Sequence, residues 1–177
     1  MYYICKYGSP LGGITLASDG ENLTGLWFDG QKYFADNLPK QHEEHDLPIF
    51  VQAKRWLDIY FSGREPDFTP PLSVAGISHF RRRVWEIMLT IPYGRTSTYG
   101  EIAAQIAAET GKRVSAQAVG GAVGHNSISL IVPCHRVVGT SGSITGYAGG
   151  VAKKIALLKT EGVDISKLFI PPKGTAL

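Results

Sequence analysis

Residues 98 to 124, TYGEIAAQIAAETGKRVSAQAVGGAVG, restrict the fold more than any other stretch of this chain. Thr98 and Glu101 have the spacing of a capping box, in which the threonine oxygen accepts from a backbone amide and the glutamate reaches back to the cap, so a helix is expected from Tyr99. That helix runs to Gly111. After Lys112 and Arg113, Ser115 is placed to cap a second helix. A helix, a short glycine-containing turn and another helix form the helix-turn-helix plan. Upstream, Ile77, Phe80, Val84, Ile87 and Met88 recur at helical spacing and stop before Pro92, which predicts a supporting helix.

The second helix of the pair is nearly bare: Ala116, Ala118, Gly120, Gly121, Ala122 and Gly124 leave few side chains to read base edges. Each glycine weakens a helix by about 1 kcal/mol relative to alanine, so close approach to another surface is expected. That surface is either a narrow DNA minor groove or a neighbouring helix of the same domain. Charge bears on the choice. Residues 1–75 hold 6 Lys or Arg against 10 Asp or Glu, a net of −4, whereas residues 76–177 hold 12 against 5, a net of +7. A basic half carrying this motif points to a polyanion, although a solvated basic face has the same composition.

The acidic half reads differently. YYICKY, GGITLAS and LTGLWF are short strands, with Asp19-Gly20 as a turn signal, so a small antiparallel sheet is expected. Phe50, Ala53, Leu57, Tyr60 and Phe61 then mark one amphipathic helix that ends at Gly63. His42 and His45 lie in an acidic stretch between Pro39 and Pro48, which reads as a surface loop rather than a metal site. The Pro-containing segment around Pro66, Pro70 and Pro71 divides the chain into domains 1–75 and 76–177. No apolar run reaches the roughly 20 residues of a membrane span, and the N-terminus lacks the plan of a signal peptide, so a cytoplasmic protein is expected. Its two cysteines, Cys5 and Cys134, are expected as free thiols.

SISLIVPCHRVVG, residues 127 to 139, carries the chemistry. Ser127 to Val132 reads as a buried strand that Pro133 terminates, leaving Cys134 just beyond its end. No second cysteine lies at zinc-ligand spacing. Cysteine is often a small buried hydrophobe, but His135 and Arg136 in a positive domain are an environment that favours thiolate. Adjacent side chains of an extended segment point apart, so His135 is expected to reach Cys134 through a bend or a water. Glu161, at the end of a last helix that Gly162 caps, sits where the helix dipole disfavours a carboxylate, and an imidazolium would compensate. The residues thus point to a Cys134-His135-Glu161 relay, walled by a glycine-rich stretch (Gly139, Gly142, Gly146, Gly149, Gly150) that lacks the lysine and hydroxyl of a phosphate loop.

IPYGRTSTYGEIA, AVGGAVGHN, VPCHRVVG, GYAGG and LLKTEG, in this order, resemble the O6-alkylguanine-DNA alkyltransferases, and the match is dense over about residues 77 to 165. The resemblance implies an α/β protein with a small ribonuclease-H-like N-terminal domain and a mainly helical, winged helix-turn-helix-like C-terminal domain. It implies direct-reversal repair: O6-alkylguanine is flipped from duplex DNA through the minor groove, and its alkyl group is transferred irreversibly to Cys134, once per molecule. His135 would be a water-mediated base, Glu161 its partner, Tyr99 a donor to the departing guanine, and Asn126 a support for the active-site turn. Val137, Tyr147 and Ala148 would form the base pocket. Gln117, Ala118, Gly120, Gly121, Ser115, Thr98 and Arg136 would face DNA. No cofactor and no metal are expected, Cys5 being the only cysteine of the first domain, and a monomer is implied.

One departure stands out. Where the family commonly has an arginine in AxAVGG, this chain has Gln117, so DNA binding is expected to be weaker and less dependent on salt than with arginine there. The alternative from another class is a non-catalytic sensor of alkylation damage, which would use the same helices without needing Cys134. A cysteine hydrolase would share the Cys-His pair but would turn over and would not need the basic helix-turn-helix.

Overall fold

The computed structural model describes residues 1–172, which divide into two units: Met1–Gly76 together with Ser127–Ile131, and Ile77–Asn126 together with the chain from Val132 onward. The first is built on a sheet and the second on helices, a mixed α/β architecture.

In the first unit, β1 (Tyr2–Ser9), β2 (Gly12–Ser18) and β3 (Leu23–Phe28) form an antiparallel meander, with Tyr3 opposite Ser18 and Ile14 opposite Phe28. The β2–β3 connection is set by Asp19, whose Oδ1 accepts from the amides of Glu21 (3.0 Å) and Asn22 (2.8 Å), while Gly20 takes φ 109°. Gly25 is needed in β3 because the Trp27 indole lies over it, where a Cβ would overlap the ring. His42 to Glu44, expected as loop, instead form β4 (His42–Glu44), parallel to β1 at the open edge of the sheet, in the order β3-β2-β1-β4. Unpaired edge groups of β1 account for this, since they favour any extended segment that reaches them. Helix α1 (Pro48–Phe61) buries Phe50, Ala53, Trp56, Leu57 and Tyr60, and its chain reverses at Gly63 with φ 79°. Trp27, Phe28, Phe50, Leu57 and Tyr60 are almost wholly buried, each contributing about 2 kcal/mol of transfer free energy.

Residues 127 to 131 depart from the expected strand. They are buried, but they make only an isolated bridge, with Leu26 donating to the Ser127 carbonyl (2.8 Å) and Ser129 donating to that of Leu26 (2.9 Å). Leu130 has φ 70°, a left-handed conformation that stops the segment from extending along β3.

The second unit begins with α2 (His79–Leu89), capped by Ser78, and continues through β5 (Ser97–Thr98), α3 (Tyr99–Thr110) and α4 (Ala116–Gly124). Both bonds of the capping box form: Glu101 N donates to Thr98 Oγ1 (3.1 Å), and Thr98 N donates to Glu101 Oε2 (2.7 Å). Gly111 closes α3 at φ 68°, and Ser115 Oγ accepts from Ala118 N (3.1 Å) to start α4. β6 (Val137–Val138) pairs in parallel with β5, Ser97 opposite Val137 and Thr98 opposite Val138. This ladder brings the start of α3 beside the segment after Cys134. Helix α5 (Val151–Thr160) completes the unit, buries Leu157 and Leu158, and ends at Glu161. No helix of the described residues is long and apolar enough to cross a membrane.

Candidate active site

Cys134 opens a 3-10 turn, Cys134–Arg136, so the chain bends here instead of running extended. Its amide donates to the Val132 carbonyl (2.8 Å), and the same carbonyl accepts from Asn126 Nδ2 (2.9 Å). Asn126 is buried, and its amide thus ties the departing chain to the returning one just before the cysteine. The thiol is buried and forms no disulfide.

His135 is wholly buried, with Nε2 2.5 Å from Glu161 Oε1. Glu161 also accepts from the Gly94 amide (3.1 Å) and from Arg136 Nε (2.8 Å) and Nη2 (3.2 Å). Burial pushes the Glu161 carboxyl up, but the hydrogen bonds from His135 and Arg136 and the Arg136 charge outweigh it and lower the group to about 2. Burial is the largest influence on His135 and lowers its pKa; Glu161 opposes this, while the charges of Arg136 and Lys154 reinforce it. The imidazole is therefore neutral at physiological pH, able to accept a proton.

Arg136 was expected on the DNA-facing surface and is instead directed inward: besides Glu161, its Nη1 donates to the Ile91 carbonyl (2.7 Å), and its guanidinium lies 5.6 Å from the Tyr93 ring centre. A carboxylate at a helix C-terminus is disfavoured by the dipole, and Arg136 compensates it, the task expected of His135 alone. Gly94 is required beside them, since it takes φ 72° and a Cβ would stand 2.9 Å from the Glu161 carbonyl oxygen.

Tyr99 is the first residue of α3, and its hydroxyl donates to the Thr145 carbonyl (3.3 Å). Burial, then the proximity of Cys134, push the phenol up to about 12, so it is protonated and available as a donor. Tyr147 and Ala148 share with Cys134, Asn126, Val123 and Gly146 a cavity of about 10 Å³, at most the room of one water. Val137 is buried in β6 and does not line that cavity. Next to it, Tyr99, Gln117, Gly120, Gly121, Thr140 and Gly146 border an open cleft of about 520 Å³. Gly146 belongs to both walls.

The bare helix now has a physical reading. A Cβ at Gly120 would make ordinary contact with Tyr99, and one at Gly121 would meet nothing within 4 Å. Packing inside the protein requires neither glycine. Ser115, Gln117, Ala118 and Gly121 are exposed and Thr98 and Gly120 half-buried, so α4 presents a smooth face to solvent. Lys154, which sequence reasoning passed over, is wholly buried with its ammonium on the carbonyls of Val137 (2.5 Å), Thr145 (2.9 Å) and Gly146 (3.2 Å). Its signal was its position: 154, 157 and 158 form the apolar stripe of α5, where a lysine is out of place. Among the described residues, no group of three or more His, Cys, Asp or Glu is placed to hold a metal ion.

A buried thiol at a chain bend, a neutral imidazole held by a carboxylate and a buried phenol nearby are the groups that cysteine-nucleophile chemistry employs, here on a helix-turn-helix unit. Residues 79–163 match the family model of the 6-O-methylguanine DNA methyltransferase DNA-binding domain, and residues 1–74 match that of its ribonuclease-like domain. The chain is 46% identical over 153 residues to the methylated-DNA-protein-cysteine methyltransferase of Mycobacterium tuberculosis, covering 86% of this chain and 88% of that one. It is 39% identical over 162 residues to the Haemophilus influenzae protein of the same name, covering 91% and 87%. The crystal structure of the M. tuberculosis O6-methylguanine methyltransferase superposes with a TM-score of 0.78 at 42% identity, over 98% of this chain and 97% of that one. The M. tuberculosis OGT in complex with DNA gives 0.77 at 43% identity, over 94% of each chain. The chain belongs to the 6-O-methylguanine DNA methyltransferase family.

Proposed function

We propose that this protein repairs O6-alkylguanine, chiefly O6-methylguanine, in duplex DNA by moving the alkyl group irreversibly to Cys134, one event per molecule. The observation that carries this reading is the placing of Cys134 in one small cavity with Tyr147 and Ala148, directly behind the cleft that the smooth face of α4 borders. Duplex DNA lies along α4 with Gly120 and Gly121 entering the minor groove, and Ser115, Thr98, Gln117 and Ala118 flank the contact. The target guanine leaves the stack, at a cost of a few kcal/mol, and passes from the cleft into the inner cavity. At about 10 Å³ that cavity holds no base, so the wall formed by Gly146, Tyr147 and Ala148 moves outward on entry.

The thiol proton passes to His135, whose opposite nitrogen is fixed by Glu161. The sulfur then attacks the alkyl carbon, and the carbon–O6 bond breaks with its electron pair on the guanine. Tyr99 donates to the departing base and recovers a proton from His135, so the thiol proton ends on guanine. Asn126 holds the turn that aims the sulfur, and Val137 stands behind the base pocket. A thioether has no route back, which makes the reaction stoichiometric. The protein acts as a cytoplasmic monomer.

The test is the intact mass of the protein after mixing with a duplex that carries one O6-methylguanine. A gain of one methyl group, mapped to Cys134 and limited to one per molecule, is expected. Binding of the duplex with no change in mass would favour a damage sensor instead.

A further inference from the structure

The second unit carries another groove, of about 860 Å³, between the start of α2, the end of α3 and the turn that leads into α4. Ser115 and Ala118 border it, whereas Gln117, Gly120 and Gly121 border the cleft, so the two hollows lie on different flanks of one helix. Its floor is apolar: Ile106 is buried, and Phe80 and Val114 are half-buried. Its rim is charged. Glu109 is the one carboxylate among the described residues that line it, and Arg83 holds both of its oxygens, Nε to Oε2 (2.7 Å) and Nη2 to Oε1 (2.6 Å), so that acid is already neutralised. Lys112 and Arg113 are exposed at the mouth and form no ion pair among the described residues. The turn that carries them is fixed, since Gly111 takes φ 68°, the Lys112 amide donates to Thr110 Oγ1 (3.3 Å) and Ser115 caps α4.

We propose that this groove docks a short acidic segment of a partner protein, with one apolar side chain of that segment seated among Phe80, Ile106 and Val114 and its carboxylates at Lys112 and Arg113. Both parts of the surface select this occupant. Duplex DNA would satisfy the two cations, but its outer face is sugar and phosphate and leaves the apolar floor uncovered. An uncharged hydrophobic segment would cover the floor and take the cations out of water without pairing them. An acidic segment with an apolar anchor does both, and an anchored pocket inside a polar rim is the usual anatomy of a specific contact. The volume is that of a small-ligand pocket, so one large side chain and its neighbours fill it. Because the turn is held before binding, little is lost in ordering it. The groove is separate from the cavity of Cys134, so this docking does not depend on the reading of that thiol as the nucleophile.

The probe is a fluorescein-labelled peptide in which aspartates flank a single phenylalanine, titrated with the full chain and read by fluorescence anisotropy. Saturable binding is expected. It should weaken about tenfold or more when the phenylalanine of the peptide is changed to serine, and by a similar factor in the double variant Lys112→Glu, Arg113→Glu. Phe80→Ala is expected to act like the serine peptide, and circular dichroism checks that each variant folds; if Phe80→Ala does not fold, the serine peptide alone tests the apolar floor. Absence of saturable binding, or binding that ignores the phenylalanine, overturns the proposal. If the charge-reversal variant binds the peptide as the wild type does and instead loses affinity for undamaged duplex, the two cations serve the DNA backbone and the inference fails. Self-association of the free protein that the charge reversal abolishes would assign the groove to a second copy of this chain and overturn it equally.

Discussion

The two units bury different kinds of matter. The core of the first is Trp27, Phe28, Phe50, Leu57 and Tyr60 with smaller aliphatic residues, and no buried His, Lys, Arg, Asp or Glu occurs there among the described residues. The second buries one of each kind except Asp, arranged around a thiol. Both units contain a buried cysteine outside any disulfide, so burial alone does not separate the two thiols. Company does. Cys5 lies 3.9 Å from the exposed Asp46 and is approached by Lys54, both open to water, whereas Cys134 is enclosed with His135 and Lys154. An apolar core would be the more stable choice for a small helical unit, and retaining ions in it is the mark of chemistry.

The sharpest way to break the comparison is to exchange the roles of the two thiols. Cys134→Ser is expected to abolish methyl transfer, at least about 10⁴-fold, because a serine hydroxyl is not ionised by a neutral imidazole and has no strained carbonyl to attack. Cys5→Ser is expected to leave the transfer rate within about twofold and to cost at most about 1 kcal/mol, as a surface-adjacent substitution does. Both are read from the mass of the protein in a single-turnover time course. Transfer that survives in Cys134→Ser and fails in Cys5→Ser would invert the assignment.

Next in size is a pair of core substitutions that separates stability from chemistry. Leu57→Ala in the first unit is expected to lower stability by about 2–5 kcal/mol and leave the transfer rate of the folded protein unchanged. Glu161→Gln in the second leaves Arg136 buried without its counter-charge, which costs about 3–5 kcal/mol. It also removes the orienting partner of His135, so transfer is expected to slow by about 10²-fold to 10³-fold. Denaturant melts and single-turnover rates on the same preparations check both. Equal slowing in the two variants would mean that Glu161 acts only through stability.

Acid sharpens the contrast further. The Glu161 carboxyl is lowered from 4.5 to about 2, so its stabilisation is complete above about pH 4.5 and is lost as pH falls through 2. At this shift the group contributes about 3 kcal/mol at neutral pH, and the folded state binds the proton less tightly than the unfolded chain throughout the window. Lys154, lowered from 10.5 to about 8, has the same sign of slope in an alkaline window: stability rises as pH passes from 8 to 10.5. The first unit holds no comparable buried group. Amide exchange between pH 4.5 and 2 is therefore expected to accelerate in α5 before it does in β2, and Glu161→Gln should remove that order.

How much of this was legible in the sequence varied with distance along the chain. The capping box at Thr98 and Glu101 was legible because both partners lie within one helical turn, and the strands of the meander because alternation and the Asp19 turn are local. The pairing of His135 with Glu161 was legible in the sequence, yet the inward turn of Arg136 was not, because it depends on Glu161 at 25 residues' separation and on the Ile91 carbonyl at 45. Lys154 hid behind an ordinary prior that lysines are exposed. Residues 127 to 131 have a strand's composition, and only the positive φ of Leu130 and the single rung on Leu26 reveal otherwise. β4 formed from residues with little strand propensity because β1 offered an unpaired edge.

The smallest expected effect concerns the surface, where the two units differ in net charge. Gln117 is exposed on the first turn of α4, at the rim of the cleft that leads to Cys134, and it carries no charge. An arginine there can neutralise one more phosphate, so Gln117→Arg is expected to steepen the dependence of log affinity on log salt by about 0.9. At low salt it should bind undamaged duplex several-fold more tightly, and the gain should fade as salt rises. The methyl-transfer step at saturating DNA should change little, because Gln117 borders the outer cleft and not the cavity that holds the thiol. Fluorescence anisotropy at several salt concentrations measures both quantities. Equal slopes and equal affinities for the two proteins would mean that residue 117 does not approach the backbone, and the cleft beside α4 would then need a different orientation on DNA.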